Sequence, residues 1–271
     1  MRKRKRAGFT LIELLVVIAI IALLMSILMP AMSRVKKQAR KVACQAKLKQ
    51  WALIWKMYCD ENDGYWLNGE GQGNGLWWFE RMMEMDEIVN EDMRLCPMAT
   101  KPAEHGKIGS WAYEAWRIPD TDYIGSYGPN GWMCNLTADR AQRNNGAWGR
   151  TPADDYWRTP NVAGAWNIPL FQGQWWVDAW PKAFDQPPDI RDAAMGINDR
   201  PNVNEMERVC VDRHGGTLNN LFCDWSVRAV GVKELWTLEW HKGFNNAGPW
   251  TKAGGCNPAD WPEWMRHYKD Y

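Results

Sequence analysis

The N-terminal thirty residues constrain this chain more than any other stretch. Five consecutive cations, residues 2–6, precede an apolar run over residues 9–29 that is broken only by Thr10, Glu13 and Ser26. About 20 apolar residues are enough to cross the core of a bilayer as a helix. Because Lys and Arg concentrate on the cytoplasmic side of such helices, the cations predict a cytoplasmic N-terminus and an exported remainder of the chain.

A cleaved secretory signal peptide also begins with cations and an apolar run. Here the run is longer than the usual signal core, and no small-x-small cleavage site follows it, since Pro30 leads directly into a basic segment. In addition, Glu13 places a carboxylate inside the apolar run. An ionisable group at that depth is costly and normally has a partner, and a plain membrane anchor has no use for one.

Residues 8–13, GFTLIE, resemble the processing signature of class III signal peptides, found in type IV prepilins and type II secretion pseudopilins. The resemblance implies that a membrane peptidase cuts after Gly8 and that the new N-terminal residue, Phe9, is N-methylated. It implies that Glu13 pairs with the N-terminal amine of a neighbouring subunit, and breaking such a buried pair costs about 3–5 kcal/mol. Pro30 matches a helix proline of the family. A simple signal anchor with an incidental Glu13 is the alternative.

The charge balance of the mature chain argues against one class of partner. Without the first eight residues, 28 Lys and Arg stand against 32 Asp and Glu, so the predicted mature chain is mildly acidic. An acidic chain offers no general electrostatic case for binding nucleic acid. The cations within residues 34–41 are expected to meet the membrane surface instead.

The chain has seven cysteines, and an odd count leaves at least one unpaired. If the head is exported, it meets an oxidising compartment in which disulfides persist. Cys44 and Cys59 are expected about 22 Å apart along one helix, too far to pair within a subunit. Neither a CxxC motif nor a paired Cys/His spacing indicates a zinc site.

One long helix is predicted from Thr10 to Cys59. Apolar residues at positions 32, 35, 39, 42, 46, 53 and 57 follow helical spacing and predict the face that packs on a domain. The cluster at residues 60–64, DENDG, predicts the end of the helix. Pro30 removes the hydrogen bond to the carbonyl of Ser26, which predicts either a static kink or a segment that loosens during assembly.

The middle of the chain predicts short elements around many tryptophans. Residues 77–89 have helical spacing, and residues 110–116 and 124–127 have the composition of short strands. Two stretches, RLCP at 94–97 and SYGPNG at 126–131, resemble segments of pseudopilin-like proteins. From about Cys134 to Asp199 we predict a large ordered insertion of loops and short elements, with buried rings in place of regular structure. Those rings are Trp148, Trp157, Trp166, Trp175, Trp176 and Trp180.

Residues 207–230 predict a β-hairpin, with strands at 209–213 and 220–230 joined across two glycines. His214 and Asp224 are nine residues apart, which resembles the H-x9-DG element of pseudopilin-like proteins, except that Trp225 replaces the glycine. We expect His214 and Asp224 to form a structural hydrogen bond. A catalytic pair is the alternative, although no activated Ser or Cys is evident beside it. Cys210 and Cys223 are placed to face each other as a possible disulfide.

The sequence of the head is compatible with two kinds of ligand, a metal ion and a glycan. The resemblance implies that calcium is possible in a loop, and acidic clusters occur at residues 60–63, 120–122, 154–155 and 185–192. None of them has a full ligand pattern, so the metal ligands stay unknown and no cofactor is expected. Exposed tryptophans beside Asn and Asp predict, as an alternative function, a membrane-anchored surface glycan-binding protein.

These features predict an α+β, type IV pilin-like fold, in which a long N-terminal helix packs on a small antiparallel sheet with a Trp-rich insertion. The expected parts are a leader at residues 1–8, a transmembrane and assembly helix at 9–30, its amphipathic continuation at 31–61, and a periplasmic or extracellular head at 62–271. The resemblance implies a non-enzymatic filament subunit of the inner membrane and then of the filament. Its expected partners are related subunits, the prepilin peptidase and methyltransferase, an inner-membrane assembly platform and membrane lipid.

Overall fold

A computed structural model shows a long N-terminal helix that continues into an α+β domain. It describes residues 11–69, 77–85, 90–104, 112–118, 121–144, 146, 150, 152–189 and 204–271. The chain divides into two compact units, one ending at Arg40 and the other covering Lys41–Tyr271. Helix α1 covers Leu11–Glu61. By length and composition α1 is able to cross a membrane, and none of its most apolar window is buried.

The remaining elements are short. The helices are α2 (Trp78–Met85), α3 (Glu91–Arg94), α4 (Ala138–Gln142) and α5 (Met206–Val209). The strands are β1 (Lys101–Pro102), β2 (Glu114–Arg117), β3 (Ile124–Gly125), β4 (Tyr127–Pro129), β5 (Pro169–Gly173), β6 (Thr217–Phe222) and β7 (Val227–Gly231). The predicted helix at 77–89 is therefore present from Trp78 to Met85, and residues 86–89 lie outside the described part of the chain.

The main sheet is antiparallel, with the strand order β4-β5-β6-β7. A second, three-stranded sheet has the order β1-β2-β3, with β1 parallel to β2. This architecture confirms the predicted α+β fold with a small antiparallel sheet. It corrects the expectation that buried rings replace regular structure in residues 134–199, because β5, a strand of the main sheet, lies inside that stretch and is buried along its whole length. A strand covered on both faces has no alternating pattern, so periodicity did not reveal it.

The end of α1 was predicted closely. The helix finishes at Glu61, two residues beyond the predicted Cys59, within the uncertainty of helix boundaries. Asp63 and Gly64 follow with φ angles of 53° and 81°, and the Gly64 N–H donates to the carbonyl of Cys59 at 2.8 Å. Glycine is the residue that takes this left-handed conformation at least cost, so the DENDG cluster ends the helix as expected.

The face of α1 that packs in the domain is different from the predicted one. The buried residues are Cys44, Leu48, Trp51, Ala52, Ile54, Trp55 and Cys59. The predicted stripe at 32, 35, 39, 42, 46, 53 and 57 is exposed instead. The prediction was wrong because both stripes have helical spacing, and large tryptophan rings contribute more buried area than the smaller apolar residues of the competing face.

The main sheet has a hydrophobic core on each face. The first core contains the buried stripe of α1, in which the ring centroids of Trp51 and Phe171 lie 5.0 Å apart. The second core contains Trp132, Trp236 and Trp240, and much of it comes from the C-terminal residues after β7. The six tryptophans expected to be buried are not all so placed. Trp175 and Trp180 are buried, Trp157 and Trp176 are half-buried, Trp166 is 64% exposed, and Trp148 lies outside the described residues.

Candidate functional site

The first candidate site is the assembly segment, defined here as residues 11–30 of α1. Its large hydrophobic side chains from Leu11 to Met29 are 45–77% exposed, and Glu13 lies in the first helical turn. Gly8 and Phe9 lie outside the described residues. The helix continues through Pro30, and the Ser26 hydroxyl donates to the carbonyl of Leu23 at 2.7 Å. Apolar surface on this scale requires lipid or another protein to cover it.

The second candidate site lies inside the head and brings three distant segments together. The Sγ atoms of Cys44 and Cys96 and a ring nitrogen of His214 lie within 4.8 Å of one another. We call these three residues the thiol–histidine cluster. The Sγ of Cys96 is 3.6 Å from the Nε2 of His214, and the hydroxyl of Tyr127 donates to the Sγ of Cys44 at 3.2 Å. Both cysteines are 1% exposed, whereas His214 is half-buried, so the two thiols are shielded from bulk solvent.

Cys44 and Cys96 are held by the elements around them. Cys44 lies on the buried face of α1, and the neighbouring Lys41 accepts at its carbonyl from Asn219 on β6 at 3.1 Å. The backbone N–H of Cys96 donates to the hydroxyl of Ser126, and the N–H of Ser126 donates to the carbonyl of Arg94 at 2.8 Å. The RLCP and SYGPNG stretches are therefore in direct contact beside the cluster.

His214 is held by a tight turn before β6. Its N–H donates to the carbonyl of Thr217 at 3.1 Å, and the Thr217 hydroxyl returns a hydrogen bond to the carbonyl of His214 at 3.0 Å. Gly215 and Gly216 make this turn with φ angles of 68° and 78°. Only glycine takes such angles freely, so the two glycines set the direction in which His214 enters the cluster.

Arg213 binds four backbone carbonyls from three segments next to the cluster. Its guanidinium is 2% exposed and donates to the carbonyls of Ala112, Glu114, Ser126 and Gln174. Among the described residues, no carboxylate forms an ion pair with it. A buried cation without a carboxylate favours anionic neighbours, and the ionisable groups that face it include Cys44 and Cys96.

The two thiols respond differently to these surroundings. Burial by itself raises the pKa of Cys96, but hydrogen bonds from Cys44 and His214 and the charge of Arg213 lower it well below the ordinary value. The hydrogen bond with Cys96, together with burial, raises the pKa of Cys44. Burial also raises the pKa of Tyr127 well above its ordinary value. The cluster therefore favours a thiolate on Cys96 that accepts from its neighbours.

The expected bond between His214 and Asp224 is not formed. His214 contacts Cys96, whereas Asp224 is exposed, donates from its N–H to the carbonyl of Ala165, and accepts at its carboxylate from the Ser226 N–H at 2.9 Å. Strand β6 separates the two residues, and six strand residues extend about 20 Å. The nine residues between His214 and Asp224 therefore contain one strand, which holds the two side chains apart. They are too far from each other to act as a catalytic pair.

The predicted hairpin was placed one element too early. Its strands are β6 and β7, joined by residues 223–226. The predicted first strand at 209–213 is absent, because Val209 is the last residue of α5 and residues 210–213 form neither helix nor strand. For this reason Cys210 and Cys223 do not face each other. Both are free and buried, Cys210 in the second core and Cys223 in the first, so the predicted disulfide is wrong.

The turn of this hairpin has a backbone conformation that suits the glycine of the H-x9-DG pattern. Trp225 has a φ angle of 65°, in the left-handed region that a residue with a Cβ enters at a cost. Its N–H donates to the carbonyl of Phe222 at 2.9 Å, and its own carbonyl accepts from Lys49 of α1 at 3.1 Å. The predicted departure from the family pattern is therefore a strained position that docks on the helix.

The acidic clusters do not make a calcium site within the described residues. Asp60 pairs with Lys56, Asp155 lies 3.1 Å from the Nδ1 of His241, and a carboxylate oxygen of Asp185 accepts from two backbone N–H groups. Asp120 and Asp192 lie outside the described residues. The thiol–histidine cluster does not suit calcium either, because calcium takes six to eight oxygen ligands.

Sequence reasoning missed two members of the cluster, Cys44 and Cys96. They are 52 residues apart, and His214 follows 118 residues later, so no local spacing relates them. The available signal was indirect: Cys96 and His214 both belong to stretches that resemble pseudopilin-like proteins. The fold brings those stretches together on the buried face of α1.

Comparisons with known proteins agree with the N-terminal features. The family model described as the prokaryotic N-terminal methylation motif matches residues 3–29. The chain is 42% identical over 65 residues to the type IV wide pilus major component PilA4 of Thermus thermophilus. This match covers 24% of the present chain and 50% of the Thermus protein. No solved structure matches the chain.

Proposed function

Because this chain has the N-terminal segment of the type IV pilin and pseudopilin family, we propose that it is a structural subunit of a type II secretion pseudopilus or a type IV pilus-like filament. In this proposal the prepilin peptidase cuts after Gly8, Phe9 is N-methylated, and the chain assembles through α1. It has no catalytic activity of its own. The single observation that carries the proposal is the exposed apolar helix with a carboxylate in its first turn.

The burial pattern of α1 supports a role in assembly. The assembly segment has exposed apolar side chains from Leu11 to Met29. In the part of α1 that belongs to the head, Val42, Leu53 and Met57 are also exposed, while the face that contains Trp51 is buried. Soluble monomers rarely leave a continuous apolar surface of this extent uncovered. We infer that lipid covers the assembly segment before assembly and that helices of neighbouring subunits cover it afterwards.

The proposed path places the chain first in the inner membrane as a single-pass protein, with a cytoplasmic N-terminus and a periplasmic head. An inner-membrane assembly platform then moves it into a periplasmic or cell-surface filament. The head contributes the outer shell of that filament. Its size favours a pseudopilin, or a minor or tip subunit, over a streamlined major pilin.

Replacement of one carboxylate tests this proposal. In a host that assembles the filament, Glu13→Gln should keep membrane insertion and peptidase cleavage but lower the amount of subunit in sheared filaments by at least about tenfold. The reason is that a charged partner in lipid then has no counter-charge, a loss of about 3–5 kcal/mol. Glu61→Gln, at the far end of the same helix, is the matched control and should assemble normally. Equal assembly of both variants would contradict the proposal.

A second candidate, a membrane-anchored glycan-binding protein, is favoured by one surface feature. A shallow pocket of about 400 Å³ is lined by Trp225, Asp60, Asp224 and Asn161, among others. A ring beside carboxylates and an amide is a combination that can bind a sugar. Binding of the detergent-solubilised full chain to immobilised polysaccharide, lost in Asn161→Ala, would favour this function. Absence of binding, together with normal filament incorporation, would remove it.

A further inference from the structure

The thiol–histidine cluster has the composition of a metal site for a soft cation. We propose that Cys44, Cys96 and His214 together bind one thiophilic, closed-shell cation, Zn²⁺ or Cu⁺, inside the head. The three side chains come from α1, from the loop after α3 and from the turn before β6. This inference is separate from the filament function, which concerns the assembly segment.

The distances within the cluster suit ligands of one ion. A zinc ion with bonds of about 2.3 Å to sulfur and about 2.0 Å to nitrogen, at a tetrahedral angle, holds these two atoms about 3.5 Å apart. The Sγ of Cys96 and the Nε2 of His214 are 3.6 Å apart, and all three ligand atoms lie within 4.8 Å of one another. Small side-chain rotations are therefore enough to bring all three onto one cation.

Metal binds cysteine as the thiolate, so both thiols give up their protons when an ion enters the cluster. Arg213 places a buried guanidinium beside the two thiols, and none of the described carboxylates pairs with it. Two thiolates, a neutral imidazole and Cu⁺ carry one negative charge, which the guanidinium balances. With Zn²⁺ the ion and its three ligands together have no net charge, so the guanidinium has no negative charge to balance. The charges around the cluster therefore suit the monovalent ion better.

The surroundings also supply the outer hydrogen bond that metal-bound thiolates commonly accept. The hydroxyl of Tyr127 donates to the Sγ of Cys44 at 3.2 Å, and the same ring packs 6.1 Å from Phe171 in the first core. Outer-shell donors of this kind orient the ligand and limit the access of water. Because Cys44 and Cys96 are 1% exposed, both sulfur ligands of the bound ion would be shielded from bulk solvent.

Competition titration of the reduced, detergent-solubilised full chain tests the proposal. One arm uses Zn²⁺ with a chromophoric chelator, and the other uses Cu⁺ with a copper(I) chelator under anaerobic conditions. We expect one equivalent of at least one ion to bind per chain. Cys96→Ser and His214→Gln should lower the affinity at least about 100-fold, since loss of an outer-shell group alone costs 10–100-fold. Cys256→Ser, a half-exposed cysteine outside the cluster, should bind as the unmodified chain does.

A second measurement keeps the test informative if a cysteine variant fails to fold. His214 is half-buried on a surface turn, so His214→Gln is the variant expected to keep the fold. Saturating metal should raise the Tm of the unmodified chain and of Cys256→Ser but leave that of His214→Gln unchanged. Equal binding and equal Tm shifts in the unmodified chain and His214→Gln would overturn the proposal.

The competing state of the two thiols is a Cys44–Cys96 disulfide, and it is tested on protein isolated from its native membrane. Alkylation under denaturing conditions followed by intact mass measurement counts free thiols. Seven alkylated cysteines support the metal site. Five, with Cys44 and Cys96 joined in one peptide pair, would show that an external disulfide oxidant has taken two electrons and two protons from these thiols, and would overturn the proposal.

Discussion

Replacement of Trp51 by alanine tests which face of α1 packs in the head. Trp51 is fully buried, its ring lies 5.0 Å from Phe171 and 5.6 Å from Trp78, and its Nε1–H donates to the carbonyl of Met93 at 2.8 Å. Loss of a buried tryptophan costs about 3–5 kcal/mol, and the orphaned carbonyl adds about 1 kcal/mol or more. We therefore expect Trp51→Ala to lower the free energy of unfolding by about 4–6 kcal/mol.

Leu53→Ala is the matched control for this prediction. Leu53 lies two residues further along the same helix, on the face that sequence periodicity had favoured, and it is 65% exposed. Since leucine and alanine have similar helix propensities and the site is exposed, the change should cost less than about 0.5 kcal/mol. Trp51→Phe keeps most of the ring but loses the indole donor, so an intermediate loss of about 1–3 kcal/mol is expected.

The assay is urea unfolding of the full chain in detergent, followed by near-UV circular dichroism. A large loss for Trp51→Ala beside a negligible loss for Leu53→Ala would agree with the packing described above. Equal losses, or a larger loss for Leu53→Ala, would refute the assignment of the buried face.

Three further predictions concern the head. Trp225→Gly should be more stable than Trp225→Ala by about 1 kcal/mol in urea unfolding, because the φ angle is 65° and glycine alone relaxes the strain; equal stability would argue against that strain. Burial raises the pKa of Asp185 to about 7, so the Tm of the unmodified chain should fall as pH rises from about 4 to 7. The Tm of Asp185→Asn should fall less over the same range, and parallel pH profiles of the two proteins would contradict this role of Asp185. Arg213→Lys should lower the free energy of unfolding by about 2–4 kcal/mol, because an ammonium cannot reach four carbonyls at once, and an unchanged midpoint in urea would contradict that role.

The long helix and its end were predictable because their signals are local. An uninterrupted apolar run followed by helical spacing predicts a helix, and Gly64 supplies the conformation that ends it. The choice of the buried face was not predictable in the same way. Two stripes on α1 have the same helical spacing. Contacts of Trp51 with Phe171 and Trp78 determine which stripe is buried, and these residues are distant from Trp51 in the chain.

The sheet was predicted only in part, because the missing strand has no alternating pattern. β5 is buried on both faces, and its short PLFQG sequence follows a stretch of loops. The hairpin was misplaced for a related reason. Gly215 and Gly216 have the sequence signature of a hairpin turn, but they precede β6, and the turn between β6 and β7 contains Trp225 in a conformation usually taken by glycine.

The two candidate sites differ in whether their residues are contiguous in the sequence. The motif around Gly8, Phe9 and Glu13 is contiguous, so its resemblance to prepilins is visible in the sequence and agrees with the matched family model. The thiol–histidine cluster depends on three segments that meet only in the folded head. The cysteine pair suggested by sequence symmetry, Cys210 with Cys223, was therefore the wrong one.

Mass spectrometry of the N-terminal peptide in sheared filaments tests the central claim most directly. We predict that the filament fraction contains a chain that begins at Phe9 with a methylated amino group. We also predict that the uncut chain beginning at Met1 is confined to the inner membrane. A filament fraction without this chain, or a chain that is uncut or cut at another position, would contradict the account of this protein as a processed filament subunit.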